Sequence, residues 1–162
     1  MALNFGIFKS LFRESQLEGE GFGKGDTIII RKTLFVGGDK FHAAFSTDLV
    51  TYNGSRCRAQ EAGTTDLYAS ISLPDGAKII SVTGYGNNTG QAWYFGRHEA
   101  GGSIDWIISN WMNSASTTIE AGKEIVDNTK YAYSALANDI AEDDYVHGIK
   151  IVYEIEQSVG IN

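Results

Sequence analysis

"DLYASISLPDGAKIISVTGYG" (residues 66–86) decides the fold. Leu67, Ala69, Ile71 and Leu73 fall on every second position, with polar or exposed neighbours between them. That is the repeat of a strand with one face on a core. Pro74-Asp75-Gly76 follows as a turn, because proline fixes φ and glycine accepts a positive one. Ile80 and Val82 resume the apolar series on the return strand.

Working outward, the same logic recurs. In "QAWYFGRHE" (91–99), Trp93 and Phe95 share one face and Tyr94 takes the other. "NTKYAYSALAND" (128–139) alternates Tyr131, Tyr133 and Ala135. In "YVHGIKIVYEIE" (145–156), Ile149, Ile151, Tyr153 and Ile155 alternate with Lys150, Val152 and Glu154. Upstream, "DTIIIRKTLFV" (26–36) is a β-branched run closed by the turn "GGDK" (37–40), and "KFHAAFSTD" gives a weaker strand. "VTYNGSRCRAQ" (50–60) carries Asn53-Gly54, the strongest two-residue hairpin signal. "STTIEAGKEIV" (116–126) reads as a modest strand, whereas the period of "SIDWIISNWM" (103–112) does not decide between strand and helical turn. Eight or so strands at spacings near 8–12 residues, with no strand–helix–strand period, predict an all-β sandwich or barrel.

Composition narrows the function. The 162 residues fit one domain, with 43% hydrophobic content that suits a packed core. Nineteen glycines against one proline suit many tight turns. The formal net charge is −7, and no basic cluster exceeds Arg31-Lys32, so nucleic acid is not an expected partner. Cys57 is alone, which rules out an internal disulfide and a cysteine metal cage; it reads as a small apolar residue. The opening lacks the basic start, unbroken apolar run and small-residue cleavage site of a signal peptide, and no run reaches membrane-spanning length. Membrane is therefore not an expected partner.

"MALNFGIFKSLFRE" (1–14) does not share the strand pattern. Leu3, Phe5, Phe8, Leu11 and Phe12 lie close to one helical face, and Phe5, Phe8 and Phe12, with Leu11, form a stripe at steps of three and four. "EGEGFGKGD" (18–26) is a linker by composition, and its spacing does not match a phosphate-binding loop. The expected organisation is an anchoring arm over 1–18, a Gly-rich linker over 19–26 and a β-sandwich domain over 27–157. Burying four large apolar side chains of the arm contributes on the order of 6–12 kcal/mol before ordering costs. That is enough to dock on another subunit, and the alternative is that the arm caps its own sandwich.

"LPDGAKIISVTGYGNN", "NTKYAY" and "YVHGIKIVYE" together resemble a jelly-roll-like β-sandwich found in uncharacterised bacterial and phage proteins. The matching positions are Leu73, Pro74, Gly76, Ala77, Val82, Tyr85, Asn87, Tyr131, Tyr133, Gly148, Ile149, Ile151 and Tyr153. The resemblance covers roughly residues 66–154 and concerns packing and turns. It implies an antiparallel jelly-roll-like sandwich and, for members with an added N-terminal segment, virion surface proteins such as capsid decoration or head and tail fibre modules. It brings no functional residues.

Candidate chemistry is sparse. His42, His98 and His147 share no metal-ligand spacing, and no serine sits in a nucleophile elbow. Neither catalytic residues, a metal nor a cofactor is therefore expected, and the chain does not read as an enzyme. Asn138, Asp139, Glu142, Asp143 and Asp144 form an acidic stretch that reads as a solvated turn, with an oxygen-ligated cation as the alternative. Trp93, Tyr94, Trp106 and Trp111 are candidate glycan-stacking residues, against a bland role in the core. The expected role is a structural virion surface or assembly protein, made in the host cytoplasm. It would dock through the arm onto other virion subunits as a homo-oligomer, with a trimer favoured. The alternative is a carbohydrate- or receptor-binding sandwich, and the exposure of those aromatics distinguishes the two.

Overall fold

The computed structural model describes residues 27–45, 48–60 and 64–158. The expected arm and linker, and with them Leu3, Phe5, Phe8, Leu11 and Phe12, lie outside the described residues. Ile29–Glu156 forms one compact unit.

Eleven strands follow in order: β1 (Thr27–Gly37), β2 (His42–Ala43), β3 (Val50–Asn53), β4 (Arg56–Ala59), β5 (Thr64–Ile71), β6 (Lys78–Gly86), β7 (Ala92–His98), β8 (Asp105–Trp111), β9 (Ala115–Ser116), β10 (Ala132–Ala141) and β11 (Tyr145–Ser158). They build two antiparallel sheets. Sheet 1 runs β3-β4-β11-β6-β9, with β1 also paired to β11, and sheet 2 runs β2-β5-β10-β7-β8. The pairings nest: β4 with β11, β5 with β10, β6 with β9 and β7 with β8. Successive pairs alternate between the sheets, as a long folded hairpin does when rolled up, and this is the order of a jelly roll. The fold is an antiparallel β-sandwich.

The core is made from the inward faces of both sheets. Leu67, Ala69 and Ile71 of β5, Trp93 and Phe95 of β7, Tyr133 and Ala135 of β10, and Ile149 and Ile151 of β11 are all buried in one cluster. Strict alternation marks them in the sequence because each strand has one dry face. Phe95 and Tyr133 stack across the β7–β10 pair, with ring centroids 6.0 Å apart.

Departures from expectation have local causes. The β3–β4 hairpin pairs Asn53 with Arg56, so its two-residue loop is Gly54-Ser55 rather than Asn53-Gly54. Gly54 takes the positive φ (63°) that such a loop demands. In β6, Ile79 rather than Ile80 enters the core, because the register against β11 slips between Ser81 and Ile79 and sets Ile80 at a bulge. Residues 117–126 do not form the strand expected over 116–126. Ala115–Ser116 pairs with β6, and the loop that follows is tied to β6 by the single bridge Lys78↔Ile125 and by backbone bonds such as Ile79 N–H to Glu124 O and Val126 N–H to Ala77 O. Val126 is buried, so the apolar signal was real, but it belongs to a loop plugging the sandwich end.

Candidate functional site

The outer face of sheet 2 gathers Tyr94, Trp106 and Trp111, and β-bulges in β8 and β10 shape it. Trp106 and Trp111 both lie on β8 at an odd spacing, so plain alternation would place them on opposite faces. Against β7 the register steps from Phe95↔Ile108 to Gly96↔Trp106, which leaves Ile107 as an extra residue. Ile107 and Ile108 both point into the core, at 3% and 5% exposure. Trp106, Ser109 and Trp111 consequently share the outer face. The same bulge explains why the period of this stretch was unreadable.

The second bulge lies in β10, where pairing with β5 steps from Ala137↔Leu67 to Ile140↔Thr65. Asp139 accepts the left-handed conformation there, with φ at 56°. Its backbone N–H donates to Asp66 Oδ1 at 3.0 Å. Bulges commonly re-aim side chains beside functional sites. Here the re-aimed residues are Asn138 and Asp139, which border a cleft.

That cleft has a volume of about 400 Å³ and is lined by Asn88, Gln91, Tyr94, Trp111, Asp139 and Asp144, among others. Trp111 stands at its edge with 57% of its surface exposed. Its backbone is fixed: the N–H donates to Asn110 Oδ1 at 2.8 Å, and its carbonyl accepts the Trp93 indole N–H at 3.0 Å. Its own indole N–H has no partner among the described residues. A rigid backbone under an uncovered ring is a pre-organised stacking surface.

The opposite wall is a polar network. Gln91 Nε2 donates to Asp144 Oδ2 at 2.6 Å and to the Asp139 carbonyl at 3.1 Å. Asn88 Nδ2 also donates to Asp144 Oδ2, at 3.0 Å. Gln91 Oε1 is buried without a partner among the described residues, a cost of about 1–3 kcal/mol that the network tolerates. Asp144 Oδ1 and Asp139 Oδ1 remain without a protein donor among the described residues. The acidic stretch is thus partly a structural wall. Asn87 links it to the next turn by donating to the Asp143 carbonyl and accepting the Tyr145 N–H. Among the described residues no group of three or more His, Cys, Asp or Glu is placed to hold a metal ion.

Next to the cleft, Tyr94 and Trp106 pack at 5.6 Å between centroids, and Tyr68 and Trp106 at 6.3 Å. Trp106 packs closely over Gly96, where any Cβ would come within 2.7 Å of Trp106 Cε3. The three rings roof Leu136, which is 6% exposed yet stands apart from the main core cluster. Tyr94, Trp106 and Trp111 are therefore brought together on one face. Trp93 is not: it is 1% exposed and belongs to the core. Of the polar members of the cleft, the sequence raises Asp139 and Asp144 only as alternative cation ligands and gives no signal at Asn88 and Gln91. Their convergence depends on the β6–β7 and β10–β11 loops meeting, which has no local signal.

No family model matches the chain, and no curated protein matches it in sequence. Among solved structures it is similar to CBM86, a low-affinity xylan binding module from the xylanolytic gut symbiont Roseburia intestinalis. The TM-score is 0.43 at 11% identity, over 80% of this chain and 96% of that one. No residue role is carried across from it.

Proposed function

We propose that this protein binds carbohydrate on the outer face of sheet 2, with Trp111 as the stacking residue and the Asp139–Asp144 wall as the hydrogen-bonding side. The observation that carries the reading is the 57% exposure of Trp111 beside a cleft lined by carboxylates and amides. A sugar ring offers an apolar C–H face and a rim of hydroxyl donors, and this site offers a matching aromatic plane and acceptors. A hydrogen bond to a charged group contributes about 1.5–3 kcal/mol. The cleft volume falls within the range of about 300–1,000 Å³ usual for small-molecule sites.

The lining carries two carboxylates and no Lys, Arg or His. A like charge 4 Å away costs about 1 kcal/mol in bulk water and about 4 kcal/mol at a protein surface. Neutral sugars therefore fit and uronates do not. The assembly role expected from the arm depends on residues 1–18, which lie outside the described residues, so the carbohydrate reading is the one the geometry supports.

Calorimetric titration of the full chain with soluble neutral polysaccharides (xylan, mixed-linkage glucan, galactomannan) and with polygalacturonate tests the proposal. Binding of at least one neutral polymer, loss of it by about tenfold or more in Trp111→Ala, and no binding of polygalacturonate are expected. Equal binding by Trp111→Ala and the native chain would remove the assignment.

A further inference from the structure

Beyond the cleft, the rings of Tyr94 and Trp106 continue along β7 and β8, and the residue between the two tryptophans on that face is exposed Ser109. We infer that the face holds a second subsite, on the Trp106–Tyr94 rings, so that the ligand is an extended neutral chain spanning both positions rather than a single terminal sugar. The inference rests on the carbohydrate reading and adds where the rest of the chain runs.

Three observations support it. Tyr94 belongs to both places, lining the cleft and packing against Trp106 at 5.6 Å, so the two surfaces are continuous. The pairing rows Ala92↔Trp111 and Gly96↔Trp106 are four residues apart on β7, which is about 13 Å at the strand rise. That reach exceeds one sugar ring and suits a short oligosaccharide. Between the rows, Tyr94 pairs with Ser109, whose small exposed side chain leaves the path open.

Packing alone also explains a roof over Leu136, so the test must read chain length and not merely stability. Titrating the full chain with a disaccharide-to-hexasaccharide series of the preferred neutral backbone gives that readout. Native protein should gain about tenfold or more in affinity between disaccharide and hexasaccharide. Trp106→Ala should bind the disaccharide as before and lose that gain. Ser109→Glu, which blocks the path while leaving every ring and Leu136 in place, should lose it likewise, and it covers the case in which Trp106→Ala unfolds. Affinity that levels off at the disaccharide, or a length gain that survives Ser109→Glu, overturns the second subsite while leaving the cleft intact. No binding at any length overturns the carbohydrate reading, and this inference with it.

Discussion

Trp93 and Trp111 are joined by one hydrogen bond and do opposite work. Trp93 fills the sandwich interior, and its indole N–H donates to the Trp111 carbonyl, with the Ser114 carbonyl 3.3 Å away as a second acceptor. Trp111 uses the backbone so fixed to hold its ring in the open. Trp93 is thus a positioning residue for the proposed site. Cys57 illustrates the opposite case, a reactive group type with no role in chemistry. It is fully buried, and desolvation pushes its thiol up to about 11, with a Tyr52 hydrogen bond pulling modestly the other way. Below that value the thiolate, the form that reacts, is the minor species. Native protein should therefore resist iodoacetamide at pH 8 for as long as it stays folded and react once unfolded. Mass-spectrometric labelling with and without denaturant checks this, and rapid native labelling would contradict the burial.

At the scale of the element, the two bulges account for most of what the sequence concealed. Strands such as β5, and β11 beyond its irregularity at His147, were legible because alternation reports a single dry face. In β8 the extra Ile107 breaks that alternation, so Trp106 and Trp111 share a face that period-two counting denies them. The 116–126 stretch misled for a different reason: Ile119 and Val126 are apolar because they plug a loop against the core, which no periodicity separates from a short strand. In β10, Asp139 sits at φ 56°, a conformation costing an ordinary side chain roughly 1–2 kcal/mol. Asp139→Ala should lower stability by about 1 kcal/mol, whereas Asp139→Gly should not. Chemical denaturation of the two variants measures the difference, and equal destabilisation would mean that the lost Asp139 side chain, not the backbone, sets the cost.

For the whole molecule, the nested pairing explains both the closure of the sandwich and the placement of the site. β4 and β11 pair as outermost partners, while β7 and β8 pair innermost and put β8 at the edge of sheet 2. Trp111 stands at the end of that edge strand, where its ring meets no further strand. A long-range topology of this kind was legible from strand number and turn spacing as far as "sandwich or barrel", and the resemblance supplied the jelly-roll order. The cleft was not legible, because its walls come from loops distant in sequence. Since every residue of the proposed face lies between Tyr68 and Asp144, removing residues 1–18 should leave glycan affinity and the thermal transition of the sandwich unchanged. Calorimetry of the truncated chain checks both, and a loss of glycan affinity would show that the arm contributes to the site.

The three indole N–H groups give the central claim its most direct test. In a ¹⁵N–¹H spectrum each tryptophan contributes one indole signal, and Trp93 is distinguished by its hydrogen bond to the Trp111 carbonyl. On addition of a neutral oligosaccharide, the Trp111 indole signal should move most and the Trp93 signal least. A titration that leaves the Trp111 signal in place, while the protein binds the sugar, would contradict the account.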